Sequence, residues 1–288
     1  MSHEEVLQSL RSPYDKKTHK LRIMRSLKAK ISTLNARYTR KGDFIQSKQG
    51  FKEKVGKVVA VPKTLMYTTD PKVITHIDFD DFVMKPNHLS RGLGIRVLTK
   101  FADGVFKDLN GETVTGEELF EEAKAIMSVK RGYDSNRGIM IEERLRSHEK
   151  FRPFMYGDGI ADIRMIFYDK ELLFGVARFP TEKSGGYGNT GRGATWGVFL
   201  EGGKFVKKNY FLPADIQSGE LPFFEEMLIE SKKVLDLYQF PFQCIDMTVD
   251  QDERVVIIES EKLPQIEVYL TKEGGAWLYK KILVGLTT

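Results

Sequence analysis

The chain has 288 residues, 41% hydrophobic and 30% charged, with 45 Lys+Arg against 40 Asp+Glu for a net charge of +5. This is the balance of a soluble globular protein with a sizeable core, and no apolar run approaches the roughly 18 residues that span a bilayer. Residues 1–5 lack the basic and apolar regions of a secretory signal, and the lone cysteine, Cys244, excludes a disulfide framework and a cysteine-based zinc site and points to a reducing cytoplasm.

Residues 1–41 hold eleven Lys/Arg and three acids, a surplus of +8, while the other 247 residues hold 34 basic and 37 acidic groups, or −3. Leu7, Leu10, Leu21, Met24, Leu27 and Ile31 recur there at three- and four-residue spacing, with Pro13 as an interruption. The pattern predicts one or two amphipathic helices over 4–41 with a basic outer face. That arm is either a solvated helix face or a dock for an anionic acceptor, carrier-bound or phosphorylated. Nucleic acid is disfavoured, since no aromatic residue beyond Tyr38 interleaves the charges.

Further along, Val58-Val59-Ala60-Val61 reads as a strand ended by Pro62. From residue 82 short strands in hairpins take over: Phe82-Val83-Met84-Lys85, a polar glycine-containing loop, then Ile95-Arg96-Val97-Leu98. A helix is expected over 116–130, with Thr115 as N-cap, Glu117 and Glu118 in the first turn, and Leu119, Ala123 and Ile126 facing inward. Residues 139–145 read as a strand, and 160–168 with 172–179 as a hairpin around Asp169-Lys170. A loop rich in glycine covers 181–193, a helix 221–238, and a last hairpin joins 244–249 to 255–261. With no repeat and no Pro/Ser linker, the class is α+β, mostly antiparallel sheet with helices on its faces.

The last hairpin carries the most chemistry. Centred on Asp252-Glu253, its register sets Asp246 opposite Glu259, with Glu261 on the same face two residues on. Like charges facing across a sheet repel, and a hard divalent cation such as Mg²⁺ would reconcile them; a solvated acidic face is the alternative. In Lys85-Pro86-Asn87-His88-Leu89-Ser90-Arg91-Gly92-Leu93-Gly94, a strand-end lysine leads into a glycine loop. Such a loop can fold over phosphates with backbone N–H groups while the lysine adds a point charge. Taken alone, the segment is read first as an ordinary hairpin loop. The strand Ile139–Leu145 ends in acids, Glu142 and Glu143, that can set backbone against an adenine edge and a carboxylate against a ribose, or can be a plain strand end. Arg164 beside Asp162, then Arg178, Lys183, Asn189 and Arg192, are candidates to hold charge on a transferring phosphoryl group or a tetrahedral intermediate. A tight turn at Asp169-Lys170 pairs Asp162 with Ala177 and turns Arg178 away from Arg164, so a bulge, at Gly175 for instance, or a twist at the strand end is required to unite them.

Taken in order, Phe82–Pro86, the glycine loop, Ile141-Glu142, Asp162-Ile163-Arg164, Arg178-Phe179-Pro180-Thr181, Gly188-Asn189, Asp246 and Glu259 resemble the ATP-grasp ligases over roughly residues 43–275. The branch they resemble most is the α-L-glutamate-ligase-like one with its sugar-transfer-associated relatives. The resemblance implies an ATP-grasp fold: a helical arm over 1–41 and two α+β subdomains, 42–145 and 146–288, clasping ATP. It implies that Lys48 and Lys85 contact phosphates and that the loop Ser90–Gly94, with Ser90, Gly92 and Gly94, closes over them. Glu142 and Glu143 would open the hinge that recognises adenosine. Asp246, Glu259 and Glu261 would bind Mg²⁺, and Arg164, Arg178 and Asn189 would handle an acyl phosphate. The implied activity is a Mg²⁺- and ATP-dependent ligation of a carboxylate, small-molecule or peptide, to an amine. A phosphotransferase acting on a hydroxyl and a nucleotide-binding protein without turnover are the alternatives.

Three departures stand out. Glu261 takes the place of the usual Asn, though it still offers oxygen; Pro264-Gln265 replaces Pro-Gly; and the preceding Rossmann-like domain is absent or shrunk to the arm. His3, His19, His76, His88 and His148 form no metal-spaced pair and read as surface or loop residues, with His88 set apart by its place in the glycine loop. Cys244, on the face of Asp246, reads as a small packing residue.

Overall fold

The structure, a computed structural model, describes residues 16–38, 48–89, 92–129, 137–206, 210–238, 240–262, 264–266 and 268–284; for 16–24, 37, 38, 272, 283 and 284 it describes the backbone alone. Two antiparallel sheets organise it. The first has strands β1 (Thr64–Thr68), β2 (Asp81–Pro86), β3 (Arg96–Ala102), β4 (Val105–Asp108), β5 (Thr113–Thr115) and β6 (Ile139–Glu143), in the order β1-β6-β2-β3-β4-β5. Phe82, Met84, Leu98, Phe106, Ile139 and Ile141 alternate onto one face and are buried under Leu119, Ala123 and Ile126 of a helix, Gly116–Ser128. That helix begins where the sequence places it. Thr115 accepts from the Glu118 N–H while Glu118 bonds the Thr115 N–H, a reciprocal capping box. The opposite face of the sheet is left with Val83, Lys85 and Glu142, because side chains alternate along a strand.

The second sheet contains β7 (Asp162–Tyr168), β8 (Glu171–Phe179), β9 (Thr195–Phe199), β10 (Phe242–Val249) and β11 (Val255–Glu261), ordered β11-β10-β7-β8-β9. One face packs Ile163, Met165, Phe167, Ile245 and Met247 against a helix, Phe224–Tyr238. The other face is apolar at one end, with Ile166, Phe174, Val198 and Phe242, and charged at the other.

The N-terminal helix, α1 (Lys16–Tyr38), lies over that apolar end beside a C-terminal helix, Lys272–Val284. Leu27, Ile31 and Leu34 are buried at i, i+4 and i+7. Asn35, also buried, clamps the sheet edge: its amide donates to the carbonyls of Phe242 and Lys262 and accepts from the Phe242 N–H. The arm is therefore a packed cover. Its Leu7, Leu10 and Pro13 lie outside the described residues, as do the side chains of Leu21 and Met24. Helix α2 (Lys48–Val55) buries Phe51 and Val55 in the core of the second sheet.

Three local expectations need correction. Residues 58–61 form no strand: after α2 the chain turns, Ala60 makes a single parallel bridge to Val256, and the strand begins at Thr64. Proline at 62 removes a ladder donor, which favours a start beyond it. The bulge in β8 lies at Leu173, between the pairs Phe167–Leu172 and Ile166–Phe174. Gly175 has a different cause, since a Cβ there would lie 2.0 Å from Cζ of Phe199. The last hairpin turns one residue earlier than expected, with Val249 opposite Val255, and a bulge at Ile258 restores the pair Asp246–Glu259. The facing carboxylates were placed correctly, but by way of an irregularity.

Candidate functional site

A cleft of about 740 Å³ separates the charged faces of the two sheets. The first sheet contributes Val83 and Val97, with Ile95, Leu145 and Ile258 nearby, as an apolar wall, and Lys85 and Glu142 beside it. Glu142 is 3% exposed and bridges two ammonium groups: Oε2 lies 2.6 Å from Lys85 Nζ, and Oε1 pairs with Lys52 of α2. Lys52 also donates to the Pro62 carbonyl at 2.6 Å. Glu143 turns the other way, its Oε1 accepting from the Lys63 N–H at 2.7 Å. Lys48, one turn before Lys52, donates to the carbonyls of Pro86 (3.0 Å) and Leu89, and so ties α2 to the base of the glycine loop. Burial lowers the Lys48 ammonium to about 8 against the opposing pull of Glu259, and lowers Lys52 to about 8 with the help of Lys85's charge.

Ser90 falls outside the described residues. Gly92 and Gly94 adopt φ of +72° and +68°, which L side chains rarely take, and a Cβ on Gly94 would meet Ile126 and Pro86 at 2.8 and 2.9 Å. The second glycine-rich loop touches the first. Arg192 lies over the Tyr187 ring and donates to the Gly92 carbonyl at 3.2 Å, and Tyr187 Oη donates to the Ile95 carbonyl at 3.4 Å. Asn189 caps a short turn, its Oδ1 accepting from the Gly191 N–H, and its Nδ2 lies 3.1 Å from where a Gly92 Cβ would be.

On the second sheet the bulge at Leu173 brings Arg178 opposite Asp162, on the face that carries Arg164 and Asp246. Arg164 grips Asp246 with two parallel bonds, Nε to Oδ1 at 2.7 Å and Nη2 to Oδ2 at 2.6 Å. Arg178 Nη2 donates to Asp162 at 2.5 Å and lies 3.3 Å from Asp246, while Arg164 Nη2 lies 3.3 Å from Glu261. Burial opposes charge on Asp246, yet Arg164 and then Arg178 outweigh it and hold the carboxyl below the usual range. Burial raises Asp162 to about 6 and Glu261 to about 7, and raises Glu259 with Asp246's charge adding to it. At Asp246, then, guanidinium groups offset the repulsion that the sequence assigned to a cation. Among the described residues no three His, Cys, Asp or Glu side chains gather closely enough to hold a metal unaided. Glu259, half-buried, has no hydrogen-bond or ion-pair partner among them.

His88, set apart by its place in the glycine loop, and His148 both lie in loops, and both are buried, 7% and 8% exposed; burial lowers His88. Cys244 is buried, with Sγ 3.4 Å from Asp246 Oδ1, as a packing residue should be. Two residues escaped the sequence: Lys52, which stands behind the cleft, and Lys28, which lines it. The i, i+4 spacing of Lys48 and Lys52 could have put both on one helix face. Lys28, which brings the arm to the cleft, had no signal separating it from ten other basic residues of the arm.

Two antiparallel sheets with cations on one lip and paired arginines and carboxylates on the other define the ATP-grasp class. Within it, the chain belongs to the sugar-transfer associated ATP-grasp family, whose match runs over residues 31–276. Among solved structures it is similar to the ATP-grasp ligase PsnB complexed with minimal precursor (12% identity, 85% of this chain and 60% of that one, TM-score 0.44). It is also similar to the macrocyclase MdnC bound with precursor peptide MdnA from Microcystis aeruginosa (13%, 89% and 62%, 0.43) and to a D-alanine–D-alanine ligase from Bacillus anthracis complexed with ATP (15%, 82% and 61%, 0.44). The chain spans about 60% of the first of these. No curated protein matches. No helix among the described residues is long and apolar enough to cross a membrane.

Proposed function

We propose that the protein is a Mg²⁺- and ATP-dependent ligase that joins a carboxylate to an amine through an acyl phosphate, on an amino acid, a peptide or a derivative of one, in the cytoplasm. The observation that carries this reading is the single cleft in which Lys48 and Lys85 face Asp246 and Glu259, with Arg164 and Arg178 alongside. The apolar wall of Val83, Ile95 and Val97 suits a base, and the lysines at its end suit the phosphates that follow. The half-buried, unpartnered Glu259, opposite Asp246 and near Glu261, suits a hard cation that takes further oxygens from phosphate. In a division into subdomains 42–145 and 146–288, Lys85 and the carboxylates stand on facing sheets, with Lys48 on helix α2 beside them.

Bound Mg·ATP supplies an electrophilic phosphoryl group, which activates a carboxylate for displacement by an amine. The chain supplies placement and charge. Lys85 and Lys48 neutralise phosphate oxygens. Arg178, positioned by Asp162, and Arg164, positioned by Asp246, face the carboxylate end and hold the negative charge that grows as its carbon becomes tetrahedral. The two touching glycine loops, through Gly92, Tyr187, Asn189 and Arg192, keep water from the activated acid. A carboxylate–amine screen tests the proposal. Phosphate release that needs an acid and an amine together, with a product heavier by condensation, is the expected result. Transfer of phosphate to a hydroxyl, or nucleotide binding without product over the whole screen, would contradict it.

A further inference from the structure

Glu142 and Lys85 form an ion pair that works against the role given to Lys85. A lysine whose charge is cancelled by a buried carboxylate 2.6 Å away has little left for phosphate. Lys52 changes this arithmetic. It stands on α2, outside the sheet that carries Lys85, and is 6% exposed. Its ammonium pairs with the other oxygen of Glu142 and donates to the Pro62 carbonyl at 2.6 Å. Two cations then share one anion, so Lys52, Glu142 and Lys85 together carry one net positive charge beside the cleft. Lys52 itself does not line the cleft, so it acts through Glu142.

We propose that Lys52 is a positioning residue that occupies Glu142 and thereby leaves the charge of Lys85 available to a polyphosphate. The inference rests on the nucleotide reading above and adds a residue to it. Glu142, which the sequence pattern assigns to adenosine, is on this account the carboxylate that holds the two lysines in place. Loss of Lys52 would leave Lys85 as half of a neutral pair. A unit charge a few ångströms from a phosphate, at the effective dielectric of a protein surface, is worth about tenfold or more in affinity.

The test is titration of the full chain with Mg·ADP, with thermal unfolding followed in parallel. Lys52→Met keeps the apolar stem and removes the charge, and is expected to weaken binding about tenfold or more. Lys52→Arg should bind nearly as wild type does. The double variant Lys52→Met/Glu142→Gln removes one charge of each sign and should recover most of the loss, which a purely structural role for Lys52 would not allow. Unchanged affinity in Lys52→Met, or a double variant no better than the single one, would overturn the inference while leaving the nucleotide site intact, provided that Lys85→Ala still loses affinity. A wild type that binds no nucleotide would overturn both.

Discussion

Lys48 binds two carbonyl groups at the root of the glycine loop while lying in a cleft with carboxylates, and its charge depends on pH in the working range. Burial disfavours its ammonium, so the proton leaves near 8 where an exposed lysine holds it to 10.5. Below that value the cation is present, and above it the attraction for phosphate is lost. Metal-free ADP should therefore bind several-fold more weakly as the pH rises through about 8. Ionisation of Glu261 near 7 acts in the same direction. Calorimetric titration across that range checks this, and affinity that stays flat or rises would contradict it. At this scale the sequence was informative where chemistry is local. Lys85 at its strand end, the acids Glu142 and Glu143 at theirs, and Asp246 opposite Glu259 could all be read along the chain. What it could not supply was partnership. Nothing along the chain shows that Arg164 chelates Asp246, or that a lysine 90 residues before Glu142 neutralises half of it, because those contacts exist only once the sheets face each other.

Elements with strong local signals were legible. The capping box at Thr115 and Glu118 and the hairpin turn at Asp169-Lys170, with both residues at positive φ, form as their residues dictate. Bulges were not legible at the right positions, because an extra residue is set by packing across the sheet: Leu173 and Ile258 mark them, and no glycine or proline stands there. Yet without these two bulges Arg178 and Glu259 would leave the face of Asp246. Helix α1 was legible as amphipathic, but its destination was not. It buries Leu27, Ile31 and Leu34 on the second sheet, and Ile31 is 1% exposed. Ile31→Ala should lower unfolding stability by about 2–5 kcal/mol through lost burial and a residual cavity. Denaturant unfolding measures this, and a loss within about 0.5 kcal/mol, typical of a surface site, would show that the helix does not pack there.

For the molecule as a whole, the uneven charge acquires a structural meaning. The basic arm covers the apolar end of the second sheet and presents Lys28 to the cleft, so removing residues 1–41 would expose core as well as remove cations. Whether the arm engages an anionic acceptor is better asked with Lys28→Glu, which keeps the cover in place. The larger claim is that facing sheets clasp a nucleotide between lysines and carboxylates. Its most direct test is calorimetric titration with ADP, with and without Mg²⁺, of the wild type, Lys85→Ala and Glu259→Gln. The account predicts saturable binding by the wild type that Mg²⁺ strengthens, binding at least about tenfold weaker in Lys85→Ala, and loss of the Mg²⁺ effect in Glu259→Gln. Absence of nucleotide binding by the wild type, or equal binding by all three, would contradict it.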